Sequence, residues 1–467
     1  MKPSQHGLIH RLTSISGHKH DVDSESIDRA KSMFMSRLYL VDGKYIISSM
    51  IITHCYRIQP TAEQEVALLH TLELLRRHWN YALGQRLDWL RQTRCQIDRC
   101  SLVSEPIGEI SIRVDYYTQQ ADLKQTKVLF PEYKDIWAEA QQVNLQRLKK
   151  AWERWMVPDA SGSRGGRPRF KKPGELRSFV YPRVNDKRAG AHLKDGVLKL
   201  SKVGEMPVIM HRPLPEGFVL KTCTIVRKAD GWYCCISMQD DTVPNLLPLD
   251  EVQNAIGVDV GLKVFLSTSD GQTVPIQQTY RKAQAHLARQ QRRLTRKSNK
   301  NSKNAIKQAN RAARIHQRIQ RQRKDFHYKI AHWLVKTYDL IAVEALNVKG
   351  LARTRLAKSI LDAAWSEFIT ILEAVGVKSG VRVVKVSSYG TSQDCSGCGV
   401  KVPKDLSIRT HECPKCGLEI DRDVNAAVNI LSRALSAVGL TVPGCRGLDV
   451  GQPMKQQVLE VTLRSSR

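Results

Sequence analysis

The stretch "AIGVDVGLKVFLSTSDGQTV", residues 255–274, decides how the second half of the chain is read. Apolar residues form two short blocks around Gly261, and Asp270-Gly271 is a hairpin signal, so two neighbouring strands are expected. Asp259 interrupts the first block between Val258 and Val260. A charged side chain in a core strand costs several kcal/mol unless it is paired or binds a cation.

Moving outward, the same pattern recurs. "LIAVEALNVKG" (340–350) reads as a buried strand carrying Glu344, "AKSILDAAWSEFITILEAVG" (357–376) as an amphipathic helix, and "VRVVKVSS" (381–388) as another apolar strand. Strands alternating with helices imply a mixed α/β sheet covered on its faces. Then "CGLEIDRDVNAAVNIL" (416–431) sets Asp421 and Asp423 around Arg422 before a closing helix that starts near Asp423. Acids at a helix start can serve only its partial positive charge. Two isolated acids in strands of one sheet point instead to a shared cation, with solvated strand ends as the competing reading. Mg²⁺ takes oxygen ligands, and two such ions roughly 4 Å apart clamp both oxygens of an in-line phosphoryl displacement. Residues i and i+2 do not share a helix face, so only one of Asp421 and Asp423 is expected in the site.

"CSGC" and "CPKC" place Cys395, Cys398, Cys413 and Cys416 in a C-x2-C-x14-C-x2-C pattern, near zinc-ribbon spacing. Two turns, each presenting two thiolates, close a tetrahedral site, so one structural Zn²⁺ is expected and no open catalytic position. The other cysteines of the eleven are scattered, which argues against a secreted disulfide framework. Cys223, Cys234 and Cys235 lie in strand-like runs and read as small buried hydrophobes. Cys95 and Cys100 are too far from other ligands to form a metal site.

The 467 residues are enough for several domains, and a hydrophobic content of 42% is ample for packed cores. The net charge of +29 calls for a polyanionic partner, nucleic acid before a membrane surface. No run reaches the roughly 18 apolar residues of a spanning helix, and the N-terminus lacks a signal-peptide core. A cytoplasmic, nucleoid-associated protein is expected. From Arg281 to Lys324 there are sixteen Lys/Arg and no acid. The run breaks at "KSNKNSKN" into two helical arms with an apolar seam of Leu287, Leu294, Ile315 and Ile319. Arg292, Arg293, Arg296 and Lys297 are its candidate phosphate contacts. A solvated helix pair without a ligand is the plainer reading.

In the first half, "MIITHCYRIQP" (50–60) reads as a strand, and residues 61–92 as a helix with Thr61 as N-cap. A second helix is expected over about 135–156. "SRGGRPRFKK" sits on a flexible connector and puts forward Arg167, Arg169, Lys171 and Lys172 as a backbone clamp; a mere basic linker is nearly as plausible. Short alternating strands then run to about residue 240. Trp79, Tyr81 and Trp89, interleaved with arginines, read as helix core ahead of a base-stacking platform.

The motifs "GVDVGLK", "VEALNVKG", "TSQDCSGCG…CPKCG" and "DRDVNAAVNIL" resemble, in order and spacing, the three RuvC motifs and embedded zinc ribbon of the TnpB family of transposon-encoded RNA-guided DNA endonucleases. That family is similar to the small type V CRISPR effectors. "MIITHCYRIQPTAEQ" and "GRPRFKK" extend the resemblance from about residue 50 to 435.

The resemblance implies a multidomain α/β and α+β chain. Its RNase H-like (RuvC) nuclease domain (251–390 and 419–436) would carry an inserted zinc ribbon (391–418). A β-barrel wedge domain (50–60 and 157–250) with a helical insertion (61–156) would precede it. Residues 1–49 form an extension expected to be poorly ordered, with Met50 a candidate initiator, and 437–467 form a tail. Asp259, Glu344 and Asp423 would hold two Mg²⁺ or Mn²⁺ ions that hydrolyse DNA. A transposon-encoded guide RNA would choose the target DNA, and the protein would read a short flanking motif. A nucleic-acid-binding regulator that does not cut, or an accessory transposase, are the alternatives.

Overall fold

The computed structural model describes residues 38–41, 44–47, 50–93, 113–160, 162–240, 246–299, 302–405 and 408–440. Cys95, Cys100 and most of the tail lie outside them. Of the N-terminal extension they include a two-stranded antiparallel hairpin, β1 (Leu38–Val41) and β2 (Lys44–Ile47).

The first half is built on a seven-stranded antiparallel sheet. Its strands are β3 (Met50–Ile58), β4 (Ser178–Tyr181), β5 (Ala191–Lys194), β6 (Val197–Leu200), β7 (Gly204–Ile209), β8 (Val219–Lys228) and β9 (Gly231–Asp240), in the order β4-β8-β9-β3-β7-β6-β5. The Asp230-Gly231 signal is the β8–β9 turn, where Gly231 takes a φ of 138° that a side chain would resist. Period-two alternation along β9 buries Trp232, Cys234, Ile236 and Met238 against Tyr56 and Ile58 of β3. Cys223 and Cys234 are buried thiols. Cys235 differs from its expected reading. It stands directly opposite Cys55 in the β3–β9 register, and the two form a disulfide, a cross-strand contact that local sequence cannot reveal.

Helix α1 (Ala62–Thr93) leaves β3 through a capping box: Gln64 N–H donates to Thr61 Oγ1 and Thr61 N–H to Gln64 Oε1. The short helices α2 (Tyr116–Ala121) and α3 (Leu123–Leu129) lead to α4 (Ala138–Met156). Leu83 and Leu87 of α1 pack on Leu145, Leu148 and Trp152 of α4, and Trp79 joins that core as expected. Tyr81, by contrast, is 55% exposed.

The second half holds a five-stranded mixed sheet in the order β12-β11-β10-β13-β14, with β10 (Ala255–Val260), β11 (Val264–Thr268), β12 (Thr273–Pro275), β13 (Leu340–Glu344) and β14 (Arg382–Val386). β10, β13 and β14 run parallel, β11 pairs antiparallel with β10, and β12 pairs antiparallel with β11. Between them lie α5 (Thr279–Thr295), α6 (Lys303–Thr337), α7 (Val348–Leu351), α8 (Ala357–Ala363) and α9 (Trp365–Ser379). One sheet face, with Ile256, Val258, Ile341 and Val343, packs on Phe326, Ile330 and Leu334 of α6 and Phe368 and Leu372 of α9. The other face takes α10 (Arg422–Val438): Ala342 and Val386 meet Ile430 and Ala434.

The basic run forms the expected hairpin of α5 and α6. Leu287 and Ile319 are buried in the seam, Leu294 and Ile315 half-buried. Gln308 adds a polar clasp by donating to Gln290 O at 3.0 Å and to its Oε1 at 2.8 Å. Asp362 of α8 accepts from the backbone of Tyr280 and Arg281 and so caps α5 from outside the helix.

Candidate active site

In the parallel register of β10 and β13, Val258 pairs with Val343. The next residues, Asp259 and Glu344, therefore leave the ends of two adjoining strands side by side. Period two sends both toward the face that Gly257 and Ala342 share, the face covered by α10. Gly257 is what lets the helix lie so close. A Cβ there would stand 1.9 Å from Ala427 O and 2.9 Å from Leu431 Cβ. The first turn of α10 carries Asp423, so the third acid arrives from a third element.

Asp421 is spent otherwise. It is the N-cap of α10, its Oδ1 accepting from Asp423 N–H at 2.8 Å and Val424 N–H at 3.4 Å. Asp421 therefore caps the helix, and Asp423, in its first turn, does not.

The acids feel each other. Burial first, then the charges of Glu344 and Asp423, push the Asp259 carboxyl well above the usual carboxylate range, against the pull of Arg422. Burial also raises Glu344, opposed by a hydrogen bond from Thr391 and the charge of Arg433. Asp423 instead faces Arg409 at 3.2 Å and Arg422 at 3.2 Å. Among the described residues, the four cysteines are the group whose metal-binding atoms all lie within 4.8 Å of one another. The three carboxylates are not grouped that closely. An all-oxygen set of mutually repelling acids, only partly offset by Arg409 and Arg422, suits hard divalent cations.

Cys395 Sγ lies 3.6 Å from Cys416 Sγ, and Cys398 Sγ 3.5 Å from Cys413 Sγ. These are close to the roughly 3.8 Å edge of a tetrahedron with zinc–sulfur bonds of about 2.3 Å. Each pair is followed by a glycine of positive φ, Gly399 at 73° and Gly417 at 70°, which folds the chain back around the thiols. Backbone N–H groups of Cys416 and Lys415 aimed at Cys413 bring its thiol down to about 6, whereas the thiols of Cys395, Cys398 and Cys416 are pushed up. The ribbon strands β15 (Thr410–Glu412) and β16 (Glu419–Asp421) run directly into α10.

The motif "DRDVNAAVNIL" contains Asn425 and Asn429, but its match gave the polar side of α10 no role. Asn425 donates to Asp394 O at 2.9 Å and accepts from Ser396 N–H at 3.0 Å, which fixes the turn that carries Cys395 and Cys398. Asn429 donates to Thr391 O and Asp394 O at 2.8 and 2.7 Å, and Arg433 binds Ser387 O and the Asp394 carboxylate. Their spacing of four, on a helix otherwise rich in alanine, is the signal that could have found them.

The connector from Arg164 to Lys172 is pinned, not flexible. Asn80 of α1 forks onto Lys171 N–H and O at 2.8 and 3.0 Å, and Trp79 donates to Arg169 O at 3.1 Å. Lys171 turns inward, its Nζ 4.5 Å from the Trp79 ring centre. Arg167, Arg169 and Lys172 stay exposed, as do Arg292, Arg293, Arg296 and Lys297 on the hairpin.

Three family models match the chain. One described as "Probable transposase" (OrfB_IS605) covers residues 233–355, and a Cas12f1-like TNB domain covers 365–430. The third, a helix-turn-helix domain of the same OrfB group, covers residues 50–95, where the described residues form one strand and one long helix. The chain is 30% identical over 395 residues to a Streptomyces pristinaespiralis protein, spanning 82% of this chain and 89% of that one. It is 29% identical over 348 residues to an Escherichia coli protein, spanning 70% and 81%. Both are named "Putative RNA-guided DNA endonuclease", the second with the suffix InsQ. A solved Cas12f1–sgRNA–target DNA complex aligns with a TM-score of 0.41 at 13% identity over 82% of this chain and 99% of that one, a likeness too loose to carry any argument here.

Proposed function

We infer, from the premise that this chain belongs to the OrfB/TnpB family, that it is an RNA-guided DNA endonuclease whose active site is Asp259, Glu344 and Asp423. The observation that carries this reading is the β10–β13 register, which sets two acids side by side beneath the helix that brings the third. In this reading the mixed sheet with α10 is an RNase H-like (RuvC) nuclease domain, and residues 391–418 are its ribbon. The seven-stranded sheet is the wedge, with α1–α4 as the helical insertion.

Two divalent ions, Mg²⁺ or Mn²⁺, would be held by Asp259, Glu344 and Asp423 and would supply positive charge to the attacking and leaving oxygens of the phosphodiester. The protein's own part is positional. Asp259 and Glu344 are fixed by their strands, and their mutual repulsion is relieved when cations bind. A cation held by Asp423 would compete with Arg409 and Arg422, whose guanidinium groups are themselves suited to phosphate oxygens. The four cysteines would hold one zinc ion, a closed site that shapes the chain between β14 and α10. The guide would be a transposon-encoded RNA, with its backbone and that of the DNA held by the exposed arginines of the connector and the α5–α6 hairpin.

The test is to purify the chain with its bound RNA, sequence that RNA, and offer DNA matching it. Cutting that requires both the matched sequence and a divalent ion supports the reading. Binding without cutting would point instead to a regulator, and random cellular RNA would remove the guided model.

A further inference from the structure

Glu344 is held by Thr391, the first residue of the "TSQDCSGCG" motif, to which the motif match gives no role. The Thr391 hydroxyl donates to Glu344 Oε1 across a gap of 47 positions in sequence, and both residues are buried, at 4% and 8% exposure. The hydroxyl has one proton and two acceptors within reach, Glu344 Oε1 and, at 3.3 Å, Ser388 O. An ionised carboxylate is the stronger acceptor, so the proton goes to Glu344. Thr391 is itself fixed, because its carbonyl accepts from Asn429 Nδ2 of α10 at 2.8 Å. The same Asn429 amide binds Asp394 O, next to Cys395, and the same helix carries Asp423 in its first turn.

We propose that Thr391 is a positioning residue for metal binding: it clamps Oε1 of Glu344, leaves Oε2 as the coordinating oxygen, and couples the ribbon connector to the active site. This rests on the reading of Glu344 as a metal ligand. Without the hydroxyl, the buried carboxylate loses its orientation, and partners of this kind typically contribute 10–100-fold in metal affinity.

The test uses the full chain with its RNA and measures Mn²⁺ binding by electron paramagnetic resonance, beside the Mg²⁺ dependence of cleavage and a thermal melt. Thr391→Val, which keeps the shape, and Thr391→Ala, the safer folder, should each weaken Mn²⁺ binding about 10–100-fold. Both should shift the Mg²⁺ half-saturation of cleavage by a similar factor, and Thr391→Ser should restore both quantities. A merely structural threonine would lower the melting temperature and leave metal affinity unchanged. That outcome, or parental Mn²⁺ binding in both Val and Ala variants while Glu344→Ala loses it, overturns the proposal and spares the active-site reading. Parental metal binding and cutting by Glu344→Ala would overturn that reading itself.

Discussion

Gly257 of β10 lies directly beneath Ala427 of α10, so close that a methyl group on it would stand 1.9 Å from the Ala427 carbonyl oxygen. Backbone cannot yield as a side-chain tip can, so Gly257→Ala must lift the helix that carries Asp423. Overpacking of this kind typically costs about 1–3 kcal/mol, here at the upper end. Denaturant melts should show that loss, with cleavage falling more steeply than stability. An unchanged melt and rate would mean that α10 does not rest on β10 as described.

Asp230, at the β8–β9 turn, ties the seven-stranded sheet to the basic hairpin. Gln317 and Arg321 of α6 donate to it at 2.7 and 2.9 Å, and Tyr233 at 2.8 Å. Burial alone would raise its pKa, but these hydrogen bonds and the Arg321 charge outweigh burial and bring it down to about 2. A depressed carboxylate pKa contributes stability that is fully present above the unfolded value near 3.8 and is lost as pH falls through about 2. Asp230→Asn should therefore cost about 2 kcal/mol at neutral pH. The gap from the parent should close between roughly pH 4 and pH 2; a pH-independent gap would assign the effect to packing.

Cys413→Ser should leave the purified chain with far less than the roughly one zinc expected for a four-thiolate site. Zinc analysis and limited proteolysis across residues 391–421 are the measurements. Cleavage should fall as well, because the turn that carries Cys395 and Cys398 is pinned to Asn425 and Asn429 of α10. Full zinc content in the variant would contradict the four-cysteine site.

How much of this could be read from the chain depends on whether the determining contacts are local. Asp259 and Glu344 stood out because each breaks an apolar strand, and the cysteine pairs because spacing alone makes a metal turn. The α5–α6 hairpin was legible from its seam of Leu287 and Ile319. Asp423 was separated from Asp421 by helical geometry together with the family motif, and the cap made by Asp421 explains why both are there. The Thr391–Glu344 contact, the Arg409–Asp423 pair and the Cys55–Cys235 bond were not legible, since each depends on a partner far along the chain or on register. The connector looked flexible from its glycines and prolines. Its rigidity comes from Asn80, some ninety positions away.

Exposed cations on that rigid connector should act through phosphates. Arg169→Ala with Lys172→Ala should weaken RNA or DNA binding with little regard to sequence. The slope of log K against log salt should become shallower by about 0.7–0.9 for each phosphate that is no longer neutralised. An unchanged slope would make the connector a solvated strap.

The most direct measurement is the Mg²⁺-dependent cleavage rate of the RNA-loaded chain on matched DNA, with Asp259→Ala, Glu344→Ala and Asp423→Ala compared with the parent and target binding measured alongside. Each substitution removes a proposed metal ligand, whose loss would be worth several kcal/mol in the transition state, so each rate should fall by about a thousandfold or more while binding stays near parental. Undiminished cutting by any one of the three would contradict its place in the site.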